Sequence, residues 1–218
     1  MVEIISIVLL VAILIGLKIV LGVSIKKMNE LSQKSPLDEL TKRLPDSIQM
    51  GKEMLAMLKN DSVKIEKSTD EKSGTSLYLV MENKIIIANG NGSYAGVQTM
   101  AHECLHSVQN KKMLWFNFIY SNCYIIYTLA VIILTVLGVI KNTTMQLYIL
   151  TLLGFVFYAV RSYLETDAMT KARYLARDYL EKKQMHSNEE IDSLIAAYDE
   201  INKARNTNSK LYFNNECS

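Results

Sequence analysis

The chain is short of the residues that interrupt helices and of those that staple small domains, with two prolines, nine glycines and three cysteines in 218 residues. So few helix breakers predict a mainly helical fold. Cys104, Cys123 and Cys217 are odd in number and far apart. They exclude a disulfide framework and read as free thiols in a reducing compartment. Neither sign of charge dominates, the formal net charge being +2. That removes the basic surface on which a nucleic-acid binder depends. Histidine is scarce as well, with three in the whole chain.

Apolar residues are in excess, at 50% of the chain, and they gather in three blocks. The first, Ile4 to Ile25, carries Lys18 as its only charge. As a helix it would be ~33 Å long, enough to cross the ~30 Å of a bilayer interior. A cleaved signal peptide fits less well: Glu3 stands where positive charge belongs, the run is too long, and no small-x-small site follows. The second block runs from about Phe118 to Ile140 and the third from about Met145 to Leu164, with Lys141-Asn142-Thr143-Thr144 as a tight connection. Lys26 and Lys27, Lys111 and Lys112, and Arg161, Lys171, Arg173 and Arg177 flank the spans on one side, against Lys141 alone on the other. The bias places the N-terminus outside and residues 26–117 and 165–218 in the cytoplasm.

Four segments follow: an anchor (1–27), a cytoplasmic domain (28–117), a transmembrane hairpin (118–164) and cytoplasmic helices (165–218). In the cytoplasmic domain, Ser35-Pro36 marks a helix start and Pro45 its end. A second helix opens at Asp46, with Ile48, Met54, Leu55 and Leu58 on one stripe. Strand signals lie at Val63–Ile65, Ser76–Val80 and Lys84–Ala88; Glu82-Asn83 turns the last two into a hairpin. Asn89 to Ser93 reads as a turn capped by Ser93, because no Gly-Lys-Ser/Thr follows to make it a phosphate loop. A helix from about Ser93 to Lys112 then places Val97, Met100, Ala101, Cys104, Leu105 and Val108 on its apolar side, with Cys104 a space-filling residue.

His102-Glu103-Cys104-Leu105-His106 lies within that helix. Two histidines at i and i+4 project from one face and can share one Zn²⁺. Glu103 then stands beside the metal, placed to take a proton from the attacking water and pass it to the leaving amine. The same five-residue pattern arises by chance on the order of once in a hundred chains of this length. Here it holds two of the three histidines and sits on a helix that follows a strand hairpin.

A catalytic zinc keeps three protein ligands and an open position. A third histidine six residues on is excluded, because Lys112 stands there and Gln109 replaces the midway glycine. Glu165 is the expected third ligand, since the two spans between it and His106 return the chain to the same side. Its plain alternative is an interfacial carboxylate at a span end. Asp167 is a weaker ligand candidate or a partner for a histidine N–H. Ala168 is small enough to allow close helix approach, and His186 falls in a polar stretch expected to face solvent.

The order of these pieces resembles the YugP-type bacterial membrane zinc metallopeptidases, and more distantly the HtpX-like membrane gluzincins. The resemblance covers roughly residues 30–180, and is most specific at Ala101-His-Glu-Cys-Leu-His-Ser-Val-Gln109 and Glu165-Thr-Asp-Ala168. It implies a small α+β, mainly helical, zincin-like domain fused to three transmembrane helices. It also implies one zinc held by His102, His106 and Glu165, with Glu103 as general base. Leu105 departs from the usual glycine, and Ser187–Arg205 forms an amphipathic helix with Ile191, Leu194, Ile195, Tyr198 and Ile201 on one face where a further span is expected.

The leading expectation is therefore a bacterial plasma-membrane metallopeptidase that cleaves membrane or membrane-proximal proteins at the cytoplasmic face. Lys84–Ala88 is the strand expected to pair with an extended substrate. An intramembrane protease is disfavoured by the polar residues flanking the motif, from Gln98 to Lys112. The other class is a non-catalytic zinc-binding or scaffold protein that retains the motif.

Overall fold

A computed structural model describes residues 35–69, 76–88 and 94–205. The expected anchor, the turn at Asn89–Ser93 and Cys217 lie outside the described residues. The described elements are α1 (Ser35–Thr41), α2 (Ser47–Met57), β1 (Lys64–Lys67), β2 (Leu77–Leu79), β3 (Lys84–Ile87), α3 (Ala95–His106), α4 (Lys111–Val136), α5 (Thr143–Lys183) and α6 (Asn188–Arg205). The fold is mainly helical with one small sheet, as the scarcity of breakers predicts.

Gln109–Thr166 form one compact unit. It is a helical hairpin of α4 and the first part of α5. Gly138, at φ 70°, turns the chain after α4, a backbone conformation that glycine adopts without a Cβ clash. Asn142 then caps the next helix by accepting from the Met145 N–H. The two helices are tied by the Tyr120 hydroxyl on the Leu153 carbonyl at 2.9 Å and by stacking of Tyr124 on Phe157. Their outer faces expose Ile119, Ile125, Ile126 and Leu129 from α4 and Tyr148, Leu152 and Phe155 from α5. Both α4 and α5 are long and apolar enough to cross a membrane.

The third apolar block ends near Leu164, and α5 carries on past it unbroken to Lys183, 41 residues in all. That is ~60 Å of helix, twice the thickness of a bilayer interior. No proline or glycine falls between Phe155 and Lys183 to stop it.

The remaining described residues form the second unit. Asp46 caps α2 by accepting from the N–H groups of Ile48 and Gln49. The sheet order is β1-β3-β2, with β3 antiparallel to β2 and parallel to β1. The expected hairpin is present. Pairing of β1 on the far side of β3 was not foreseen, and it makes Lys84–Ile87 the central strand. A strand with both edges paired has no free N–H or C=O row for a substrate, so the expected substrate-pairing role of Lys84–Ala88 is ruled out. Ile85 and Ile87 face the core while Lys84 reaches out to Glu66 and Glu82.

One core joins α2, the sheet, α3, the second half of α5 and α6. From α5 it takes Ala168, Ala172, Ala176, Tyr179 and Leu180, the alanines recurring every four residues along one face. Helix α6 packs on this core as its apolar face predicts, burying Ile191, Leu194 and Tyr198. A reciprocal cap between Ser187 and Glu190 starts it.

Candidate metal centre

Helix α3 is nearly enclosed. Val97, Met100, Ala101, Cys104 and Leu105 are buried as expected, but Val108 is 42% exposed, because the helix stops before reaching it. Helix α2 comes close at Gly51, where a Cβ would lie 2.6 Å from the Ile65 side chain and 2.8 Å from Met100 Sδ. The Cys104 thiol meets the Gly51 carbonyl there, and burial, with the nearby Glu103 charge, pushes its pKa to about 12. Fully buried and outside the group of His102, His106 and Glu165, Cys104 serves as packing.

Helix α3 was expected to run to Lys112, but it ends at His106. The reason is side-chain hydrogen bonding. Ser107 Oγ donates to the Cys104 carbonyl at 2.6 Å, and Asn60 Nδ2 donates to both Ser107 Oγ and the Ser107 carbonyl. Side chains thus satisfy groups that a further helical turn would have used. Asn110 then caps α4 by accepting from the N–H groups of Lys112 and Met113. Asn60 itself is delivered by a left-handed Lys59 (φ 55°) that closes α2.

His102 and His106, one turn apart, bring their Nε2 atoms to 3.0 Å, with rings at 84° to each other. Glu165 supplies a carboxylate oxygen, and the three donor atoms all lie within 4.8 Å of one another. Two nitrogens on a tetrahedral zinc, each ~2.05 Å from it, sit about 3.3 Å apart. The histidine pair is therefore already close to that spacing, and Glu165 has at most about 1.5 Å to close, within reach of a side-chain rotation. A shared proton would also suit two facing imidazoles, but it would not need a third, oxygen donor. The donor chemistry, two imidazoles and a carboxylate, is one that Zn²⁺ takes. The cluster can hold a metal ion.

Glu103 follows the first histidine and is 7% exposed, as is His102. Asp167 is not among the three clustered donors; its carboxylate pairs with Lys171 at 2.5 Å. His186 was expected to face solvent, but it is half-buried, with Nε2 2.8 Å from the Leu40 carbonyl. A polar neighbourhood in sequence says nothing about a helix that folds back over it. Arg161 stands 3.9 Å from the Glu165 carboxylate.

No family model, curated protein or solved structure matches the chain.

Two contributors were not visible in the sequence as parts of the site. Asn60 sits 47 residues before the serine it holds. Gln109, in sequence a polar residue at a motif position, donates its Nε2 N–H to the Leu164 carbonyl at 2.8 Å. The one sequence signal for either was the spacing of Gln109, three residues after His106.

Proposed function

We propose that the chain is a membrane-bound zinc metallopeptidase that hydrolyses peptide bonds of membrane or membrane-proximal proteins at the cytoplasmic face of a bacterial plasma membrane. The observation that carries this reading is the convergence of His102, His106 and Glu165 within 4.8 Å beside a buried Glu103. Two helices able to cross a membrane, one of them the helix that bears Glu165, support the location.

His102, His106 and Glu165 would hold one zinc ion, which when bound supplies a Lewis acid to polarise the scissile carbonyl and acidify water. Glu103 acts as the base. Its carboxylate takes a proton from the water as the water oxygen bonds to the carbonyl carbon, and gives it to the amine nitrogen as the C–N bond breaks. Burial of Glu103 keeps bulk water away from that proton. Cys104 and Leu105, on the core side of the helix, hold the backbone that aims these groups.

Metal analysis of the purified protein tests the ligands: zinc should be stoichiometric in the wild type, lost in His102→Ala and bound far more weakly in Glu165→Ala. Full zinc retention in Glu165→Ala would remove that residue from the set. Glu103→Gln should keep zinc and lose proteolysis, which also separates an enzyme from a non-catalytic zinc protein. A comparison of membrane proteomes from cells with wild-type and Glu103→Gln protein should show the substrates accumulating.

A further inference from the structure

The Gln109 side chain ends on a backbone carbonyl in the middle of a helix, an acceptor already used by the helix itself. The residue whose carbonyl it meets, Leu164, directly precedes Glu165. A peptide unit is planar and rigid, so fixing the Leu164 oxygen also fixes the plane in which the Glu165 N–H and Cα lie. The contact therefore acts on the backbone that carries the third ligand.

Gln109 is well anchored for such a task. It lies three residues after His106 in a turn whose ends are both held. Asn60 binds Ser107 twice, at 3.0 and 3.3 Å, and Asn110 caps α4. Leu164, at the other end of the contact, is 4% exposed, and the hydrogen bond itself is part-buried.

We propose that Gln109 is a positioning residue for the metal centre: through the Leu164 carbonyl it sets the place from which Glu165 meets His102 and His106. This rests on the metal reading above. The chemistry asks for a donor of this reach, since asparagine is a methylene shorter and glutamate offers no N–H at neutral pH.

The test is a cobalt(II) titration, cobalt standing in for zinc with a visible spectrum, on the full-length protein in detergent. Gln109→Ala should weaken cobalt binding about tenfold and move the visible absorption toward that of Glu165→Ala. Added to Glu165→Ala, the same change should alter affinity by less than about twofold, because the ligand it positions is gone. Equal weakening in both backgrounds overturns the positioning role, and so does wild-type affinity and spectrum in Gln109→Ala. Gln109→Met keeps the length and volume without the donor, and gives the same readouts if the alanine variant does not fold. Wild-type protein that binds cobalt no better than His102→Ala overturns the metal reading and the proposal with it. That outcome is distinct from a metal site that ignores Gln109.

Discussion

Asn60 and Ser107 are joined by two hydrogen bonds from one carboxamide, to the serine hydroxyl at 3.0 Å and to its carbonyl at 3.3 Å. Together they stop the histidine-bearing helix at His106. Asn60→Ala would leave the Ser107 carbonyl and hydroxyl short of a donor, at a cost of about 1–3 kcal/mol. The melting temperature of the purified protein, followed by circular dichroism, should fall by roughly 2–4 °C per kcal/mol. An unchanged melting temperature would show that water replaces Asn60 without loss.

Glu53 accepts from the Tyr179 hydroxyl, Lys183 Nζ and Gln49 Nε2, tying α2 to the end of α5. Burial works to raise its pKa, but the hydrogen bonds from Lys183, Gln49 and Tyr179 outweigh it and hold the carboxyl below its ordinary 4.5. A carboxyl with a depressed pKa adds stability above its unfolded pKa, and that stability is lost as pH falls through the folded value. Glu53→Gln should therefore be less stable than wild type at neutral pH, the difference shrinking below about pH 4.5. Urea midpoints taken across that range give the comparison; a gap that stays constant with pH would refute the linkage.

Zinc should stabilise the folded protein by mass action, about 2.7 kcal/mol at a hundred times its dissociation constant. Melting scans with zinc and with a chelator should differ in the wild type and coincide in His102→Ala. A shift that persists in His102→Ala would place the bound zinc elsewhere.

The flanking charges predict that the connection at Lys141 lies outside and that Lys171 lies in the cytoplasm. A cysteine introduced at Lys141 should react with an impermeant maleimide on intact cells, and one at Lys171 only after permeabilisation. The reverse pattern would put the metal centre on the outer face.

Much of the fold was legible because it depends on neighbours in sequence. Asp46 caps the next helix, Glu82-Asn83 turns a hairpin, Ser187 and Glu190 cap each other, and apolar periodicity marks the buried side of α6. Each is a contact within about one helical turn or one tight turn, and residue type decides it. The readings that failed share the opposite property. The end of α3 at His106 depends on Asn60, the demotion of β3 to a central strand depends on β1, and the shelter of His186 depends on Leu40. All three partners are far away in the chain, and pattern alone carries no information about them.

The metal centre divides the same way. The sequence by itself determined that His102 and His106 share a helical face, because four residues make about one turn. It also put Glu103 beside them and marked Glu165 as the carboxylate that an even number of spans could return. Only the tertiary structure decided that these donors meet within 4.8 Å. Glu165 sits on α5, which continues unbroken past Leu164 and packs its alanines into the core. Convergence of donors from separate helices is a property of packing, and packing is settled by side chains from the whole chain at once.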